Sequence, residues 1–199
     1  MVYIVDFGNG VDVTHPALAS LPGIIYANPI DNTVDGIDED KDGYTDDVYG
    51  WDFYHNQEDP YPDGDDPYPW HDTAVTGIMA SNGTNGAYGI CRTAHVIVLK
   101  KHLADYYTDP TVINQIVAGL NYAVNFKREI EGVVGHSVHM VINNSYPVLV
   151  GTADWSRHPE LQAAIDNAAA SDIGMFFAAT NSSQSNDDPN TAAYPASYN

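Results

Sequence analysis

The sequence predicts a doubly wound α/β fold, with a mainly parallel sheet and helices on both of its faces. Four apolar runs, rich in Val, Ile and Phe, have the length of buried strands: 2–5, 96–99, 138–142 and 175–179. Segments with a helical spacing of apolar residues separate the second run from the third and the third from the fourth. Strands that alternate with helices form parallel sheets through right-handed crossovers, and this alternation decides the fold class.

Each of the two helices is indicated by an apolar stripe. The first stripe consists of Ile113, Ile116, Val117, Leu120 and Val124. The second consists of Leu161, Ala164, Ile165 and Ala168, and Pro159 before it suits the first turn of a helix. In such sheets active groups gather at the carboxyl ends of the strands, where Asp6, Ser145 and Asn181 would lie.

Residues 30–70 form a long insertion dense in Asp, Gly, Pro and Tyr, with little regular periodicity. A loop of this length is usually functional or disordered. We find no internal repeat and no linker composition, so residues 1–199 are interpreted as a single domain with an acidic loop at about 30–70.

The charge of the chain is unusual and local. Seven basic residues oppose 27 acidic ones, a net charge of −20, and 15 of the acids fall between Asp31 and Asp72. Such a concentration favours a cation site over a generally acidic surface. Nucleic acid is excluded as an expected partner, because phosphate contacts need clustered Lys and Arg.

Membrane and redox signals are weak. Cys91 is the single cysteine, so the chain has no internal disulfide to indicate a compartment. No apolar run approaches the roughly 20 residues of a membrane helix, and the chain opens into a strand without a signal peptide. We therefore expect no membrane partner.

Three polar residues next to apolar segments suggest acyl-transfer chemistry. Asp6 closes the first apolar run, His71 opens the segment HDTAVTGIMAS, and Asn181 follows the run MFFAAT. A carboxylate can orient a histidine base, and an amide can donate to an oxyanion. Taken singly, each residue is more often a cap, a satisfied polar group or a turn former.

The flanking segments carry the resemblance that makes this set specific. They are IVDFGNGVDVTHPAL, DGIDEDKDGYTDDVYGWDF, HDTAVTGIMA, VINNSYP, GMFFAATN and AAYPASYN, in that order along the chain. Together they resemble the subtilisin-like serine proteases over residues 2–199. The resemblance implies serine-dependent peptide hydrolysis, with Asp6 as the triad carboxylate, His71 as the base and Asn181 as the oxyanion donor. Members of that family are mostly secreted.

The chain also departs from the family pattern. No Gly-Thr-Ser-Met-Ala segment, which carries the family's nucleophile, occurs in the 199 residues. We therefore expect an incomplete peptidase domain that is inactive by itself. Asp72 replaces the glycine after the histidine, and its charge would raise the pKa of His71 if the side chain points inward. Thr180 replaces the glycine before Asn181 and, being β-branched, resists a positive φ.

The acidic loop predicts a structural calcium ion. Asp38, Asp40 and Asp42, followed by a glycine, have the D-x-D-x-D-G spacing of calcium loops. Asp46 and Asp47 lie just beyond and complete the predicted set of oxygen ligands. Tyr49 stands where an EF-hand has its glutamate, so the loop is not a complete EF-hand. The alternative is a merely solvated acidic loop.

The resemblance also assigns substrate contacts. Ser145 and Tyr146 match the strand that walls the primary specificity pocket, and residues 100–107 match the opposite side, which pairs with an extended peptide. A polypeptide substrate or inhibitor is thus the expected partner. Without the family's later helices, apolar sheet surface would be uncovered and could cause self-association. Two alternatives stay open: a pseudoprotease that binds peptides without cleaving them, and a calcium-dependent structural domain.

Overall fold

A computed structural model describes residues 1–19, 25–64, 66, 68–101, 110–146, 149–150, 156–181 and 183–197. The strands in chain order are β1 (Val2–Gly8), β2 (Gly50–Asp52), β3 (His95–Lys100), β4 (His139–Asn144), β5 (Leu149–Val150), β6 (Ile173–Phe177) and β7 (Ala193–Tyr194). The helices are α1 (Pro16–Ala19), α2 (His71–Ala80), α3 (Pro110–Val134) and α4 (Pro159–Ala170), with a 3-10 turn at Thr84–Gly86.

Five strands form one parallel sheet in the order β2-β3-β1-β4-β6, and β5 pairs with β7 in a small antiparallel ribbon. The four predicted apolar runs correspond to β1, β3, β4 and β6, although β6 begins two residues earlier than its run. Both predicted helices are present, and Pro159 is the first residue of α4. The most apolar strand, β1, lies at the centre of the sheet because both of its faces are buried.

Helices cover both faces of the sheet, which confirms the doubly wound class. On one face, inward residues such as Val5, Leu99 and Ile142 pack against α3 and α4 in the main core. On the other face, Ile4 and Val98 belong to a smaller core together with residues of α1 and α2. The alternation of these strand residues follows the twofold period of a strand.

The acidic insertion contains a strand that the sequence did not predict. Strand β2 lies within residues 30–70 and extends the sheet beside β3. Its pairing depends on Gly50, which has a φ of 122° and approaches β3 so closely that a Cβ atom would lie 1.8 Å from the carbonyl oxygen of Val98. Three residues led by a glycine have no apolar period to recognise, so the pattern of the sequence misses them.

The second face of the sheet is exposed at the β6 edge. Phe176 on β6 is 64% exposed and Gly174 is also exposed, whereas the alternate residues of the strand face α4.

Among the described residues, no helix combines the length and apolar character needed to cross a bilayer.

Candidate active site

Asp6 lies inside the sheet, two residues before the end of β1. Its backbone is in register with Val98 of β3 and Asn143 of β4, and its side chain is 1% exposed. One carboxylate oxygen accepts a short hydrogen bond from the Thr76 hydroxyl of α2, and the other accepts from the Asn143 amide at 3.3 Å. Helix α2 and strand β4 therefore both hold the Asp6 carboxyl group.

His71 is the first residue of α2, and its ring contacts Asp72 rather than Asp6. The Nδ1 atom lies 2.6 Å from Asp72 Oδ1 and 2.7 Å from the Tyr146 hydroxyl oxygen. Asp72 is 1% exposed, so its carboxylate does point inward, and its second oxygen accepts a short hydrogen bond from the backbone N–H of Asn9. The residue that replaces a family glycine therefore occupies the space beside the histidine.

Burial and neighbouring groups shift the pKa values of Asp6 and His71. Burial, together with the neighbouring charge of Asp72, raises the pKa of Asp6 to about 8. The hydrogen bond to Asp72 raises the pKa of His71. The raised pKa of Asp6 favours a neutral carboxyl group near neutral pH.

The structure brings Ser145 and Tyr146 to the same site. The Ser145 hydroxyl oxygen accepts from the Asn143 amide at 2.9 Å, and Asn143 also contacts Asp6. Tyr146 reaches His71, and the Lys101 ammonium lies 4.5 Å from the centre of the Tyr146 ring. Burial lowers the pKa of Lys101 to about 8. Of the predicted opposite wall at 100–107, residues 102–107 lie outside the described part.

Asn181 lies four residues beyond the end of β6, in an exposed bend. Thr180 before it has a φ of 74°, the left-handed conformation that the family's glycine adopts without strain and a β-branched residue resists. The described contacts do not join Asn181 to His71. Its role as oxyanion donor stays a prediction.

The chain matches the model of the subtilase family of S8 peptidases over residues 4–199. The chain belongs to the subtilase family. No curated protein is similar enough in sequence to count as a relative. The family supports a serine protease domain for this subtilase, in agreement with the resemblance of its segments.

Two solved structures are similar to this subtilase. The epidermin leader peptide processing serine protease EpiP from Staphylococcus aureus is 18% identical with a TM-score of 0.56, over 94% of this chain. The CspB protease of Clostridium perfringens is 16% identical with a TM-score of 0.46, over 90% of this chain. This subtilase spans only 39% of the EpiP chain and 36% of the CspB chain. The likeness to EpiP supports the fold.

The acidic loop of this subtilase gathers carboxylates around two adjoining positions. Ligand atoms of Asp31, Asp38 and Asp40 lie within 4.8 Å of one another, and so do those of Asp40, Asp42 and Glu129. Four carboxylate oxygens in these groups are buried without a hydrogen-bond partner; they belong to Asp31, Asp38, Asp42 and Glu129. Unpaired buried carboxylates are costly, and a hard cation with oxygen ligands would satisfy them. The donor set therefore fits calcium.

The cluster differs in membership from the predicted ligand set. Asp46 accepts from the backbone N–H groups of Asp35 and Gly36, and these hydrogen bonds stabilise the conformation of the loop. Asp47 accepts from the Tyr122 hydroxyl and the Asn28 amide. Asp31 and Glu129 belong to the cluster but not to the predicted set. Glu129 lies in the charged stretch Lys127–Glu131 of α3, which gives no local signal for an ion ligand.

Proposed function

We propose that this chain supplies the histidine base, its carboxylate partners and the predicted oxyanion asparagine of a calcium-stabilised serine endopeptidase. The proposal is supported by the family match over 4–199, together with the proximity of Asp6, His71 and Asp72 at one end of the parallel sheet. In such a reaction His71 accepts the serine proton at Nε2 while a carboxylate holds the Nδ1 proton. Asn181 would donate to the tetrahedral oxyanion.

The 199 residues alone are proposed to lack peptidase activity. Acyl transfer needs a nucleophile beside the base, and the Gly-Thr-Ser-Met-Ala segment that supplies it in the family does not occur in this sequence. Residual catalysis without the nucleophile is weak, because members of a triad act as a unit.

Calcium is proposed to have a structural role. Asp31, Asp38, Asp40 and Asp42 from the loop and Glu129 from α3 would hold the ion. The unpaired buried oxygens of all of these except Asp40 support this set. Bound calcium would neutralise these charges. The loop would then be tied to a helix of the main core.

The test compares the 199-residue chain with the product of the same reading frame extended downstream. We expect no casein hydrolysis and no fluorophosphonate labelling of the shorter chain. An extended chain that contains the nucleophile segment should hydrolyse casein, and His71→Ala should lower its rate about 10²–10⁴-fold. His15→Ala is the control, because His15 is exposed and its ring accepts from the backbone N–H of Ala17, away from His71. Hydrolysis by the shorter chain with the same dependence on His71 would refute the claim of inactivity.

A second candidate is a pseudoprotease that binds peptides without cleaving them. It is supported by the contact of Tyr146 and Asp72 with the same nitrogen of His71, because Tyr146 belongs to the strand predicted to bind substrate. A stop codon directly after residue 199, together with calorimetric binding of peptides that survive intact, would favour this function over the peptidase.

A further inference from the structure

We propose that Asp72, in place of Asp6, is the carboxylate that positions His71 in this subtilase. The inference rests on the proposed role of His71 as the base. Its geometric basis is the 2.6 Å contact between Asp72 Oδ1 and His71 Nδ1, whereas the described hydrogen bonds of Asp6 go to Thr76 and Asn143.

Asp72 is anchored as firmly as a positioning group requires. Its side chain is buried, and the backbone N–H of Asn9 donates to Oδ2. The other oxygen, Oδ1, lies 2.6 Å from the imidazole nitrogen and also accepts from the Tyr146 hydroxyl at 3.4 Å. It lies in the first turn of the ten-residue helix α2, where the helix dipole favours a negative charge. Helix geometry, burial and a fixed hydrogen bond therefore orient one oxygen toward His71.

Gly8 provides the room for this carboxylate. A Cβ atom at position 8 would lie 1.7 Å from Asp72 Oδ2, and the displaced atom would be the carboxylate itself. The end of β1 and the start of α2 are thus matched: a missing side chain on the strand accommodates an added side chain on the helix.

Asp6 is left with a different role. It is fully buried, and this burial together with the neighbouring charge of Asp72 raises its pKa to about 8. A protonated Asp6 between Thr76 and Asn143 serves as a link between α2 and β4. Asp72 is then the carboxyl group that faces the imidazole.

The other charged and titratable groups around His71 are Tyr146, in direct contact, and Asp66 and Lys101 farther away. Asp66 lies on the loop before α2 and acts on His71 through its charge, and Lys101 follows β3 and packs over the Tyr146 ring. Asp72 is the carboxylate in hydrogen-bond contact with the His71 ring among the described residues. It would keep the proton on Nδ1 and leave Nε2 to accept a proton from a nucleophile.

The experiment is an NMR pH titration of His71 in the 199-residue chain labelled with ¹⁵N-histidine, with the signal assigned through His71→Gln. In Asp72→Asn we expect a lower titration midpoint, loss of the downfield Nδ1–H proton and a shift of the neutral ring toward the Nε2–H tautomer. In Asp6→Asn we expect the Nδ1–H signal to persist and the midpoint to fall by less. Asp66→Asn is the control for a distant charge.

A second pair of variants keeps the test independent of one substitution. Asp72→Gly restores the residue of the family, and Gly8→Ala pushes the carboxylate away; both should lose the Nδ1–H signal while the amide spectrum stays folded. The proposal is overturned if Asp6→Asn lowers the midpoint as far as Asp72→Asn, or if Asp72→Asn leaves the tautomer unchanged. Because no hydrolysis is measured, failure here is separate from failure of the peptidase proposal.

Discussion

Glu129→Gln should raise the melting temperature in the absence of calcium and reduce the increase that calcium produces. Glu129 lies on α3, its Oε2 is buried without a hydrogen bond, and burial together with the charges of Asp40 and Asp38 raises its pKa. Without an ion, removal of this charge relieves repulsion, so the variant should melt at a higher temperature than the wild type. With calcium, the variant lacks a charged ligand and should gain less.

The magnitude follows from linkage. At free calcium 100 times Kd, one site stabilises the folded chain by about 2.7 kcal/mol, and a domain of this size gains about 2–4 °C per kcal/mol. The wild type should therefore melt about 5–11 °C higher in calcium than in chelator. A tenfold weaker Kd in the variant would remove about 1.4 kcal/mol of that gain, or about 3–6 °C.

The assay is calorimetry of both proteins in chelator and in calcium, with titration of calcium into the chelated form. Glu131→Gln is the matched control on the same helix, since Glu131 binds Lys127 and the backbone N–H of Val138 outside the cluster. It should lower the melting temperature in both conditions and leave the calcium shift unchanged. An equal calcium shift in wild type and Glu129→Gln would refute the assignment of Glu129 to the ion.

Three further predictions concern the pH dependence, the backbone and the surface. Burial raises the pKa of Asp42 to about 7 and that of Asp47 to about 8. The stability that these two protonated groups contribute is therefore fully present below about pH 4, and it is lost as pH rises through 7–8. In chelator the melting temperature should be higher at pH 5 than at pH 8, and a rise with pH would contradict this. Thr180→Gly should stabilise by about 1 kcal/mol by relieving its left-handed backbone, whereas Asp172→Gly, at a φ of 56°, should do little because Asp tolerates this region; thermal melts compare them. Phe176→Ser should reduce association in analytical ultracentrifugation, and an unchanged mass would place the contact elsewhere.

The sequence predicted the parts of the fold that depend on apolar period. Val5 and Ile142 lie in apolar runs, and Leu120 belongs to a regular helical stripe, so their burial can be inferred locally. Strand β2 could not be inferred, because its pairing depends on the close backbone approach of Gly50 to Val98.

The sequence predicted which residues form the candidate site better than it predicted which of them contact one another. The order of Asp6 and His71 within their segments identified the family, but the choice of carboxylate depends on the direction of the Asp72 side chain. That direction is set by the space above Gly8, which no spacing rule contains. Glu129 joins the loop cluster through tertiary packing across more than 80 residues of sequence.

The position of β1 at the centre of the sheet has a consequence for synthesis of the chain. Tyr3 is in register with His95 and Met140, so β1 pairs with strands that are made much later than itself. At about 5–20 residues per second, a nascent β1 waits about 5–20 s for its first neighbour. During that interval an apolar edge is open on both sides, so the ribosome-bound chain is the form most exposed to mispairing and to capture by chaperones.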